Sequence, residues 1–160
     1  MDAATEAALR ELLRVQTVGA LGTLHRGHAG VEPFVSMVPV AWQGADAIVH
    51  VSALAQHTRD LREEPRVSLM LTAPRVAGDD ALALARATLQ ADASVIDRAG
   101  AEHGPVAAVY LARFPQAEQT FALGDFMLVR LRPRSVRFVA GFGRAHSLGA
   151  AAFAALVAGG

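Results

Sequence analysis

The stretch DAIVHVSALAQHTRDLREEPRVSLMLT, Asp46–Thr72, decides the fold. Two alternating apolar runs enclose a polar segment. In an extended strand Ile48, His50 and Ser52 point to one side, and Val49 and Val51 to the other. Arg66, Ser68, Met70 and Thr72 oppose Val67, Leu69 and Leu71 in the same way. Between the runs, HTRDLREEP reads as one short helix stopped by Pro65. The strand places Ser and His on one face and hands over to a helix start at His57 and Thr58. Hydroxyl and imidazole groups beside free helix N–H groups suit an anion. A purely local reading stands beside this one: Thr58, with Asp60 and Glu63, caps the helix.

Upstream, the apolar period of Ala4, Ala7, Ala8, Leu12 and Val15 predicts a helix over Ala3–Val15, with Asp2 or Thr5 as cap. Val18–Leu24 reads as a strand, His25–Gly30 as a turn, and Val31–Trp42 as a second strand. Pro33 and Pro39 remove two ladder donors, so that strand lies at an edge or is bulged. Downstream, Ala73–Asp80 is a loop. The alternation of Ala83–Val95 favours a strand over the helix that its alanines would allow. Asp97–Arg113 reads as helix in two pieces and Gln116–Phe121 as a short helix or turn. Asp125–Arg132 and Val136–Ala140 read as strands joined by a turn at Pro133–Ser135. After GFGRAHSL comes a small apolar helix over Leu148–Ala158. One helix, six or seven mostly antiparallel strands and inserted helices make a mainly β fold with helices (α+β), a small barrel in a single domain over 1–160.

Composition prunes the chemistry. The chain has 160 residues, 52% hydrophobic and 19% charged, with a net charge of +0. It is long enough to bury a core and carries no bulk charge for nucleic acid. No apolar run reaches the roughly 18 residues that span a bilayer. The opening MDAATEAALRELL has no signal pattern, so a cytoplasmic protein without a membrane partner is expected. Cysteine is absent, which excludes thiolate nucleophiles and cysteine-held metals. All 15 basic residues are arginines, so neither a Schiff-base lysine nor a Walker P-loop is available. There is no GxSxG elbow, and no GxGxxG follows a strand.

Of six histidines, His25 and His28 have HxxH spacing in a Gly-rich turn and read as solvated imidazoles. His103 receives no role. His50, between Val49 and Val51, is either a satisfied core histidine or faces a ligand. His146, with Arg144 after two glycines, lies in an exposed turn or a ligand-facing loop. Arg59, Arg62, Glu63, Glu64 and Arg66 read as a solvated helix face.

Six segments then carry a resemblance: PFVSMVPV (33–40), HVSALAQHTRDLREEPRVSLML (50–71), ARATLQADA (85–93), YLARFPQA (110–117), DFMLVRLRP (125–133) and GFGRAHSL (141–148). Together they resemble the FMN-binding split-barrel family of pyridoxamine phosphate oxidases, and within it the haem-utilisation branch. The most specific part is S-x-L-A-x-H-T-x-x-L at Ser52–Leu61. The resemblance implies a six-stranded antiparallel split barrel that forms a homodimer, with one FMN in each of two clefts between subunits. It implies that the strand-to-helix turn binds the FMN phosphate. The Arg-Lys pair that the oxidases use there falls on Gln56 and His57, and a strand Arg falls near Val35. Ser36, Ser52, Gln56, His57 and Thr58 would then hold the phosphate, helped by Arg86 and Arg144. Val38, Pro39 and Val51 would border the isoalloxazine, with His50 a further candidate on the same strand. The implied function is an oxidoreductase passing hydride or electrons from flavin N5 to a small-molecule substrate. Two alternatives follow from the same branch and the same departures. One is a haem-binding or haem-degrading protein with His146 as axial ligand. The other is a flavin-free dimeric binding module.

Overall fold

The computed structural model describes residues 1–28 and 30–159. Ala29, inside the expected turn at His25–Gly30, lies outside the described residues. Helix α1 (Ala3–Val15) starts where Asp2 accepts from the Thr5 amide at 2.7 Å, the N-cap geometry that Asp favours. The strands are β1 (Val18–Gly27), β2 (Gly30–Pro39), β3 (Ala41–Gln43), β4 (Asp46–Ser52), β5 (Arg66–Thr72), β6 (Arg86–Val95), β7 (Phe126–Val139) and β8 (Ala145–Gly149). The further helices are α2 (Gln56–Glu63), α3 (His103–Arg113), α4 (Glu118–Phe121) and α5 (Ala150–Ala158), with a single 3-10 turn at Pro115–Ala117.

All eight strands form one antiparallel sheet in the order β2-β1-β5-β6-β7-β4-β3, and β8 pairs with β7. The expected fold class stands, with eight strands among the described residues in place of six. Both prolines of β2 sit on the edge strand, where their missing N–H groups leave no gap in the ladder. The expected turn at Pro133–Ser135 does not form. Instead β7 runs on, and Arg134 is the extra residue in a bulge where Gln90 faces Ser135 and Ala91 faces Pro133. Bulges tolerate proline for the same reason that edges do. The last helix begins at Ala150 rather than Leu148, because Ala145–Gly149 is taken up by β8. Among the described residues no helix is long and apolar enough to cross a membrane.

Burial divides along the sheet. Leu21, Val49, Val51, Leu69, Leu89, Val129 and Phe138 point into the barrel, closed by Leu9 and Leu12 of α1 and Phe153 of α5. Gly19 allows the close approach of β1 and β5: a Cβ there would sit 2.7 Å from Leu69 Cδ1 and 3.2 Å from the Met70 carbonyl oxygen. The other side of β4 feeds a second core, in which Ile48 packs with Leu128, Val106, Tyr110 and Phe114 under α3. Both faces of β4 are therefore buried, which explains its apolar run.

The outer face of the sheet, opposite the barrel core, is read from the register. One cross-strand row runs Met37, Ala20, Met70, Thr88, Arg137, Ser147. The next runs Val35, Gly22, Ser68, Gln90, Ser135, Gly149. A third runs Thr72, Arg86, Val139, Ala145. This face changes from apolar at β2 to polar and cationic at β6, β7 and β8.

Candidate functional site

The turn from β4 into α2 is a knot of hydrogen bonds. Ser52 donates to the Asp125 carboxylate at 2.7 Å and accepts from the Leu54 amide at 3.1 Å. Ser36 Oγ lies 2.9 Å from His57 Nδ1. Asp60, 2% exposed, is reached by Thr23 Oγ1 at 2.9 Å, Gln56 Nε2 at 2.7 Å and His25 Nδ1 at 2.9 Å. Gln56 Nε2 also lies 2.8 Å from His25 Nδ1. With its proton on Nδ1, His25 donates to Asp60; with it on Nε2, His25 accepts from the Gln56 amide. Arg59 donates to the Leu54 carbonyl at 2.7 Å and to Gln56 Oε1 at 2.6 Å. Burial lowers the His57 pKa, against a smaller upward pull from Asp60, so the neutral imidazole is the resting form near pH 7.

The turn thus engages Ser36, Ser52, Gln56 and His57 in contacts within the protein. Two carboxylates, Asp60 and Asp125, occupy the positions of acceptor. Thr58 is fully buried and its hydroxyl has no partner, so no ligand reaches it. Its capping role is not observed either: α2 has Ala55 at its N-cap and no side-chain cap bond. Val38 and Val51 are core residues, so their side chains offer no border to a flavin ring, while Pro39 is exposed on the edge strand.

His50 settles on the core reading. It is buried and stacked on Phe121 with ring centroids 4.0 Å apart and planes at 19°. Phe126 and Tyr110 lie at 5.2 Å and 5.6 Å. Its Nδ1 is 3.3 Å from Thr120 Oγ1. Burial, with smaller contributions from His103 and Arg98, lowers its pKa to about 4. It faces α3 and α4, on the opposite side of β4 from Val49 and Val51.

Arg86 and Arg144 belong to a separate place. They line an open hollow of about 390 Å³ on the outer face, with Arg137, Leu82, Val139 and Phe142. Arg86 donates to the Leu84 carbonyl at 3.1 Å, Arg137 to Ser147 Oγ at 2.9 Å, and Arg144 to the Ala140 carbonyl at 3.0 Å. Arg10, Arg14, Arg66, Arg130, Arg132 and Arg134 pair with carboxylates; these three belong to the nine arginines that, among the described residues, do not. A second hollow of about 250 Å³, lined by Thr88, Gln90, Ser135 and Ser147, shares Arg137 with the first. Arg137 escaped the sequence reading. Its signal was the alternation of Val136, Arg137, Phe138, which puts a cation on the outer face between two core residues.

His146 pairs with Phe138 across β7 and β8, while its neighbour Ser147 pairs with Arg137. Strand alternation therefore turns His146 toward the core side, away from the hollow. No histidine lines the hollow. Among the described residues no group of three or more His, Asp or Glu is placed to hold a metal ion.

Comparison with known proteins agrees with the architecture. The chain is 32% identical over 140 residues to heme oxygenase HutZ of Vibrio cholerae, covering 87% of this chain and 74% of that protein. It is 34% identical over 134 residues to the chloroplast heme oxygenase HOZ of Arabidopsis thaliana, covering 83% of this chain and 39% of that one. A heme binding protein from Mycobacterium smegmatis superposes with a TM-score of 0.83 at 34% identity, over 97% of this chain and 61% of its own. Residues 5–140 match the family described as pyridoxamine 5'-phosphate oxidase. With that match spanning most of its length, the chain belongs to the pyridoxamine 5'-phosphate oxidase family.

Proposed function

We propose that this chain binds haem on the outer face of its sheet, with the haem carboxylates at Arg86, Arg137 and Arg144. The observation that carries this reading is the convergence of three guanidinium groups without carboxylate partners on one hollow. Such groups form the strongest hydrogen bonds to carboxylates, often bidentate. Backbone and hydroxyl acceptors already orient all three, so little ordering remains to be done on binding. The larger hollow, about 390 Å³, falls within the roughly 300–1,000 Å³ of small-molecule sites, and the smaller one extends it at Arg137. The names of the relatives, heme oxygenases and a heme binding protein, agree with this chemistry. Bound haem would supply the redox iron, and oxidation of the ring is the reaction that those names suggest. The residues described here hold the carboxylate edge and assign no ligand to the iron.

The flavin reading has less support in the geometry. A phosphate at the β4–α2 turn would meet Asp60 and Asp125, with the Gln56 and Arg59 donors already engaged.

The proposal includes a homodimer built on the apolar end of the same face. Val35 is 66% and Met37 71% exposed, and Ala20 and Gly22 beside them leave the surface flat. Exposed apolar surface of this kind marks contact with another protein. A second copy seated there would border the cationic end and enclose the ligand from above.

Haem titration followed in the Soret region tests the reading. A saturable shift is expected, and Arg86→Ala and Arg144→Ala should each weaken binding roughly tenfold or more. No saturable shift, or unchanged affinity in both variants, would overturn it.

A further inference from the structure

We propose that Phe142 selects a flat conjugated ring at the arginine hollow, its side chain lying over the ring while the arginines hold the carboxylates. The inference rests on the haem reading above and goes beyond it by assigning ring recognition to a residue that no other role explains. Phe142 is 77% exposed, more than any other large apolar side chain described. The next most exposed phenylalanine, Phe34, is 37% exposed. Burying a phenyl ring is a main driving force of folding, and this one forgoes it.

The backbone holds it there. Gly141 has φ +136° and Gly143 φ +73°, conformations that side-chain-bearing residues rarely adopt. The Arg144 amide donates to the Gly141 carbonyl at 3.1 Å, and the Ala140 amide donates to the Arg144 carbonyl at 2.9 Å. The Arg144 guanidinium closes the loop on the Ala140 carbonyl at 3.0 Å. A Cβ on Gly141 would lie 3.2 Å from Arg144 Nη2 and 3.4 Å from the Ala83 carbonyl oxygen. Two glycines and three hydrogen bonds thus fix an aromatic ring at the apex of a tight turn. The same turn places Arg144, and both side chains line one hollow with Arg86 and Arg137.

An aromatic face beside three cations discriminates between ligands. A small dianion uses the arginines alone. A bulky non-planar carboxylate gains nothing from the ring. A planar macrocycle with carboxylates along one edge uses both, because offset stacking adds to its area burial. Iron is not needed for this recognition, so the iron-free macrocycle should behave like haem.

Haem, by Soret absorbance, and protoporphyrin IX, by fluorescence, are titrated into the wild type, Phe142→Ala, Phe142→Tyr and Arg86→Ala at several salt concentrations. Phe142→Ala should bind both macrocycles about tenfold more weakly and Phe142→Tyr within about threefold of wild type. The salt dependence should survive in Phe142→Ala, whose arginines are intact, and flatten in Arg86→Ala. Loss of the salt dependence in Phe142→Ala would show that Phe142 merely props the turn, and would overturn the proposal. Wild-type affinity in Phe142→Ala would overturn it alone and leave the haem reading standing. A wild type that binds neither macrocycle would overturn both.

Discussion

At the scale of single residues, Asp60 shows how this fold spends its polar groups. Its carboxylate is buried without an arginine beside it. Burial raises its pKa, but hydrogen bonds from Gln56, His25 and Thr23 outweigh that and hold it below the ordinary 3.8. A carboxyl whose folded pKa is depressed stabilises the fold above its unfolded value, and that stability is lost as pH falls through the folded pKa. The contribution is therefore whole above about pH 4 and goes below it. Asp60→Ala removes the acceptor of three donors and should cost about 3 kcal/mol at pH 7 in urea denaturation. Asp60→Asn should cost less, because the amide oxygen still accepts. An alanine variant as stable as wild type would show that the network contributes nothing.

Individual residues of this kind were only half legible. The anion cradle expected at Ser52–Thr58 has the expected groups, but what they bind depends on partners far along the chain. Asp125 lies 73 residues from Ser52, and Asp60 meets Thr23 across 37. Only the Gln56–Asp60 contact, four residues apart on α2, has a local spacing; no local pattern shows Asp125 arriving.

At the scale of elements, β4 is the informative strand. Its alternation was readable, but alternation alone could not say that both faces are buried. The second core under α3 decides that, and it turns His50 from a candidate ligand into a packed aromatic. A histidine held neutral, with its pKa lowered from 6.5 to about 4 by burial, stabilises the fold fully above pH 6.5. As pH falls, the unfolded chain takes up the proton first, so stability drops between pH 6.5 and 4, by on the order of 3 kcal/mol. His50→Phe keeps the stacking and removes the titration. Its stability should therefore be flatter than wild type over that range in pH-dependent urea melts. Parallel curves would assign the decline to other groups. Strand β8 and the unbroken β7 were missed for a related reason. Pro133 looks like a turn in sequence, and only the pairing with β6 shows that the strand absorbs it in a bulge.

At the scale of the whole molecule, one sheet face carries the apolar patch at β2 and the arginines at β6–β8, and the proposal joins them. A lysine at position 37 or a glutamate at 35 would place charge where a second copy is to sit. Met37→Lys combined with Val35→Glu should give monomers in analytical ultracentrifugation at concentrations where wild type is dimeric. A wild type that is already monomeric would remove the dimer from the account. The barrel class followed from strand patterns in the sequence, whereas the hollow did not. Arg86, Arg137 and Arg144 are neighbours only because β6, β7 and the turn before β8 are brought together by pairing.

The central claim is that the arginine hollow, rather than the β4–α2 turn, takes haem. Two double variants compared in the same Soret titration test it most directly: Arg86→Ala/Arg144→Ala against Ser36→Ala/His57→Ala. The account predicts that the first loses haem affinity by about a hundredfold, while the second binds like wild type. Haem binding lost in the second and kept in the first would contradict it.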